Sequence, residues 1–189
     1  MITTRILQVA LFLASIQPLA WCDPPAPDRL VVSELPEVFE LSVPVSRLVM
    51  RIPKGNLKPG VKPEGGATAS RRYFLFEDKS KQLYISGWFE PDSGFKGINE
   101  FWQSQMKAWT AKKTPAPDKF SFKKYDKWNS VAYFMASTSG NNPHIRANWV
   151  QAGTWVDLHI SLTSGGAAAE AMADLESVLS NIVVLEKAP

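Results

Sequence analysis

The sequence has little reactive chemistry to offer: one cysteine, Cys22, and two histidines, His144 and His159, among 189 residues. A lone cysteine cannot close a disulfide within the chain or build a thiolate zinc site. An excess of one charge is missing too, since 21 lysines and arginines stand against 18 aspartates and glutamates. That balance gives no electrostatic footprint for nucleic acid. No GxSxG, HExxH or P-loop spacing occurs, so no motif dictates a reaction. Long apolar runs are also scarce, and the one that stands out opens the chain.

That opening, MITTRILQVALFLASIQPLAWC, carries one positive charge at Arg5, is apolar from Ile6 to about Ala20, and has no acid before Asp23. The pattern is that of a secretory signal peptide. The run is shorter than the ~20 residues that span a bilayer, and Gln8 and Gln17 interrupt it. A cleaved leader is therefore expected over residues 1–22, and a periplasmic or secreted destination with it. Cutting after Cys22 puts Ala20 and Cys22 at the small-residue positions of the processing site. A cut after Ala20 competes with it, as does acylation of a retained Cys22, which needs a small residue where Trp21 stands. The expected mature chain starts at Asp23, lacks cysteine, and, with Arg5 gone, has 20 basic against 18 acidic residues.

DPPAPD, with three prolines in six residues, reads as an extended leader over 23–29, followed by a single domain over 30–189. VFELSVPVSRLVMRI gives two strand-like runs broken at Pro44, with Leu48, Met50 and Ile52 alternating against Arg47, Val49 and Arg51. PKGNLKPGVKPEGGATAS, residues 53–70, lacks either period and reads as a long loop. RRYFLFED and QLYISGWFEP form a strand pair. GINEFWQSQMKAWTAKK has a helical apolar stripe at 98, 101, 102, 106 and 109, whose two tryptophans suit core packing. KFSFKKYDKWNSVAYFMAS predicts a hairpin turning at Asp126-Lys127, inside a stretch with seven lysines between 107 and 127. Such a stretch suits a solvated face or contact with an anionic lipid or polymer. A final helix is expected from about Ala167 to Asn181, its stripe being Met172, Leu175, Val178, Leu179 and Ile182.

Strands, a helix, four strands and a helix make an α+β protein: an antiparallel sheet of about six to eight strands with two main helices packed on it. This order, with the segments LVMRIPKG, INEFWQSQMKAW and GTWVDLHISL, resembles the Mog1/PsbP-like fold, which includes bacterial periplasmic proteins of the DcrB kind. The resemblance covers roughly residues 38 to 185. It implies a binding or accessory role and carries over no catalytic residue.

The two histidines fall in NPHIRANWVQAGTWVDLHIS, residues 142–161. With Ala152 and Gly153 at the tip of a hairpin, Gln151 opposes Thr154 and the rungs run down to His144 opposite Ser161. Opposed residues share a face. This register puts Ile145, Ala147, Trp149, Val156, Leu158 and Ile160 on one side and His144, Arg146, Asn148, Asp157, His159 and Ser161 on the other. A slip of one residue would mix the classes at every rung.

Strand rise separates His144 from Asp157 by on the order of 13 Å, too far to share one metal. A hydrolase using Asp157, His159 and Ser161 can be named, but serine and histidine two residues apart on a straight strand are roughly 7 Å apart, beyond the reach of a nucleophile to its base. No metal or cofactor is expected, and a non-enzymatic role is favoured over an enzyme. Two readings of the face remain. It is a binding surface in which Arg146, Asn148, Trp155, Asp157 and His159 hold a protein or a small anionic or sugar-like ligand, or it is a solvent-facing or helix-covered polar ladder. In the binding reading, Asp157 fixes Arg146 through a diagonal ion pair. The expected function is an exported binding or accessory protein of the envelope, with no nucleic acid partner and no membrane span in the mature chain. A hydrolase and a toxin-neutralising envelope protein are the alternatives.

Overall fold

A computed structural model describes residues 28–61, 71–117, 119–137, 140–163 and 168–187. The signal-like segment, nearly all of the proline-rich leader, residues 62–70 of the long loop and the start of the glycine-rich loop lie outside the described residues. The strands are β1 (Val31–Glu34), β2 (Val38–Ser42), β3 (Leu48–Pro53), β4 (Lys58–Pro59), β5 (Tyr73–Asp78), β6 (Leu83–Pro91), β7 (Phe120–Tyr125), β8 (Trp128–Ser137), β9 (Gly140–Gln151), β10 (Thr154–Leu162) and β11 (Val183–Glu186). The helices are α1 (Ile98–Ala111) and α2 (Ala168–Ser180).

The expected class holds: the protein is α+β, with antiparallel strands and two α-helices. Its strands divide into two sheets, one of seven in the order β4-β5-β6-β10-β9-β8-β7 and one of four in the order β1-β2-β3-β11. The second sheet draws on both ends of the described chain. It departs from the single-sheet expectation because β11 pairs with β3 over more than a hundred residues, for example Val184 with Met50, and nothing local in VVLE announces that partner.

Alternation explains the layering. Phe74, Phe76, Ile85, Phe89, Ile145, Ala147, Val156, Leu158 and Ile160 point to one side of the larger sheet. There they form a single core with Phe39, Leu41, Met50 and Ile52 of the smaller sheet and Ala171, Leu175 and Leu179 of α2. Phe39 stacks on Phe76 across the two sheets, with ring centroids 4.6 Å apart. α1 packs on the opposite side, where Trp102 meets Val131 and Tyr133. The larger sheet is thus the middle layer.

Several local expectations are refined. Val49 is buried beside Leu48 and Met50, not exposed with Arg51. Ala171, not Met172, is the fully buried residue of that turn of α2, and Ile182 packs in the core from beyond the helix end. Part of the 53–70 loop is ordered as β4, because buried Leu57 anchors it and Lys58 and Pro59 pair with Glu77 and Phe76. Gly87 shows why glycine is needed in mid-strand. A Cβ there would lie 2.2 Å from the Asp157 carbonyl oxygen and 2.8 Å from the Phe74 ring, so the ring of its cross-strand neighbour occupies the side-chain space.

Candidate functional site

The hairpin of β9 and β10 has the register read from the sequence, from Gln151 opposite Thr154 to His144 opposite Ser161. Ala152 and Gly153 both take positive φ, 51° and 72°, as a two-residue type I′ turn requires. Pro143 ends the pairing: its nitrogen faces β10 in this register and has no hydrogen to give.

Cross-strand rungs assemble a polar patch on the α1 side. One row runs Trp88, Asp157, Asn148, Asn129, and the next runs Ser86, His159, Arg146, Val131. A third runs Tyr84, Ser161, His144, Tyr133. The residues singled out in the sequence therefore do come together: Arg146, Asn148, Trp155, Asp157 and His159 occupy one continuous area.

They face one another rather than solvent. Asn148 is 0% and Asp157 7% exposed, and Arg146 and Asp157 form the expected ion pair. The guanidinium carbon of Arg146 lies 5.3 Å from the centroid of Phe101 on α1 and 5.8 Å from that of Trp88, so the cation is held between aromatic faces. Trp155 Nε1 donates to Asn148 Oδ1 at 2.9 Å, and its ring packs with Phe95 and Phe101. Burial pushes the Asp157 carboxyl above its ordinary range, an effect that Arg146 opposes.

The histidines make a second unit. Their rings lie within 4° of parallel, and His144 Nδ1 is 2.9 Å from His159 Nε2. One nitrogen must donate and the other accept, so the contact requires complementary tautomers and excludes two imidazolium ions. Tyr133 stacks on His144 with centroids 5.1 Å apart, and its hydroxyl stands 3.5 Å from His159 Nε2. Burial, followed by the nearby Arg146 charge, lowers His144 to about 4 and His159 well below its ordinary value. Burial raises the Tyr133 phenol to about 12. Both histidines are neutral at pH 7, and Tyr133 keeps its proton.

Sequence reasoning missed Tyr133, Trp88 and Phe101. Tyr133 and Trp88 sit on the flanking strands β8 and β6, and Phe101 reads as one more residue of a helical stripe. Elsewhere, a cleft of about 260 Å³ lies where the sheets meet, lined in part by Ser46, Arg72, Glu90 and Thr154. Ser46 Oγ and Thr154 Oγ1, 2.5 Å apart, join the two sheets at its edge. Among the described residues no helix is long and apolar enough to cross a membrane, and no three His, Cys, Asp or Glu side chains are placed to share an ion.

No family model and no curated protein matches the chain. It is similar in structure to a Bacteroides thetaiotaomicron protein solved by crystallography, with 14% sequence identity and a TM-score of 0.44. The overlap covers 74% of this chain and 45% of that one.

Proposed function

We propose that the protein is an exported, non-enzymatic binding or accessory factor of the cell envelope. The observation that carries this reading is the closed pairing of the histidines. His144 Nδ1 and His159 Nε2 face each other, and the guanidinium beside them is paired with Asp157. A hydrolase would need Ser161 joined to a free imidazole, and among the described residues no hydrogen bond joins Ser161 to either ring. Asn148 and Asp157 are buried, whereas Arg146, Trp155 and His159 keep a partly exposed edge. In the resting fold these residues seat α1 on the sheet and shape the surface that it presents. The signal-like opening supports export, and the Mog1/PsbP-like resemblance, drawn from the element order, agrees with an accessory role.

The test joins export to binding. The full chain is produced in a bacterial host, its N-terminus is read by mass spectrometry after release from the periplasm, and partners are captured by crosslinking in intact cells. A mature N-terminus at Asp23 and a stoichiometric partner support the proposal. A chain retained in the cytoplasm, or hydrolytic turnover that Ser161→Ala abolishes, overturns it.

A further inference from the structure

We propose that β7 is a docking edge for an extended acidic segment of a partner protein, which adds an eighth strand to the larger sheet. The inference rests on the reading of the protein as a binding factor and names the surface that would bind.

The edges of the two sheets differ greatly. β4 has only two residues, one a proline, and β1 and β11 have four each. β7 has six, of which all but Tyr125 are exposed, including the large rings of Phe120 and Phe122. Long exposed edges invite strand addition unless something blunts them.

Register shows what this edge offers. Tyr125 and Trp128 close a two-residue turn and so form a hydrogen-bonded pair. Alternation then turns Ser121 and Lys123 toward β8 as well, and leaves the backbone N–H and C=O groups of Phe120, Phe122 and Lys124 facing outward. Those groups are spaced to pair with every second residue of an incoming strand. Side chains of that strand on the α1 side would meet Phe120, which packs on Trp102 with centroids 5.2 Å apart, and Phe122, 5.7 Å from Phe120.

Charge selects the occupant. Lys123 is paired with Glu176 of α2, but Lys119 and Lys124 make no ion pair among the described residues. The same holds for Lys112 and Lys113, which follow Trp109 at the end of α1, and Trp109 packs on Trp102. Lys124 shares the face of Phe120 and Phe122 and Lys119 alternates to the other, so the edge carries positive charge on both faces. A second copy pairing through β7 would bring two such sets together, which disfavours self-association. A membrane surface would leave the outward backbone groups without ordered partners. An acidic strand satisfies both the backbone and the lysines.

The probe is an eight-residue peptide of alternating glutamate and valine, with an alternating lysine and valine peptide as control. The proposal expects the acidic peptide to protect the amides of Phe120, Phe122 and Lys124 from hydrogen exchange, and the basic one to protect none. It also expects roughly tenfold weaker binding of the acidic peptide at high salt, since these charges are solvent-screened. Phe122→Pro removes an outward N–H that β8 does not use, so it should keep the melting temperature within a few degrees and abolish protection. Phe122→Ala, which keeps the N–H, should retain it. If the proline variant fails to fold, joint reversal of Lys119 and Lys124 to Glu should abolish binding of the acidic peptide in its place. Protection by neither peptide, or binding only to phosphatidylglycerol vesicles, overturns the proposal. So does capture in cells of the same partner by wild type and by Phe122→Pro, which leaves the binding-factor reading standing. Capture of no partner by either protein defeats both.

Discussion

Acidification from pH 7 to pH 5 should destabilise the protein through His144 and His159, and the size of the effect follows from their burial. In the unfolded chain a histidine takes up its proton near pH 6.5, whereas in the fold His144 does so only at about 4. A folded-state value below the unfolded one means stability that is present above pH 6.5 and is lost as pH falls toward 4. The full difference amounts to about 3 kcal/mol at about 1.4 kcal/mol per unit, and about 2 kcal/mol of it has gone by pH 5. Residual solvent contact of the half-buried ring reduces that figure. His159, lowered further by burial, by Arg146 and by His144, adds in the same direction.

Asp157 runs the other way, because its carboxyl is raised in the fold and protonation there relieves a cost. Glu34, Asp78 and Glu176 are lowered from ordinary values of 4.5, 3.8 and 4.5, so their contributions are lost mainly below the window. Thermal unfolding of wild type and of His144→Gln at the two pH values isolates the histidine. The wild-type midpoint should fall more than that of the variant, by at most roughly 4–8 °C, at about 2–4 °C per kcal/mol for a chain of this size. Equal pH slopes, or a His144 ring proton that titrates by NMR near 6.5 in the folded protein, would refute the reasoning.

Arg146→Ala leaves Asp157 buried without its partner and should cost about 3–5 kcal/mol in chemical denaturation, with Arg146→Met/Asp157→Asn recovering much of the loss; a loss under ~1 kcal/mol would mean that the pair is solvated. Trp155→Phe keeps the ring but strands Asn148 Oδ1, and should cost about 1–3 kcal/mol by the same measurement. Gly87→Ala forces a Cβ into the Asp157 carbonyl and the Phe74 ring, so the midpoint should drop by the equivalent of at least ~2 kcal/mol. A neutral Gly87→Ala would show that β6 and β10 can separate there without penalty.

How far the sequence could be read depended on the range of the interaction. The β9–β10 register was legible because two adjacent strands each alternate, and only one alignment keeps Ile145, Ala147 and Trp149 opposite Ile160, Leu158 and Val156. The Arg146–Asp157 pair followed from that register. What covers the polar face was not legible, since Phe101 and Trp102 mark α1 as amphipathic without saying that its neighbour is half polar. The destination of β11 was hidden for the same reason. Four residues after a helix carry no information about a partner near residue 50.

That last pairing has a consequence for the order of events during synthesis. β1, β2 and β3 leave the ribosome early, yet their sheet lacks β11 until residues 183–186 have been made. The core that Leu41 and Met50 share with Leu175 and Leu179 waits for α2 as well. Contacts this distant are slow to close and cannot form on a partial chain. Under the export proposed above, this delay would leave the N-terminal strands without a finished fold to settle into until the C-terminal residues have been made.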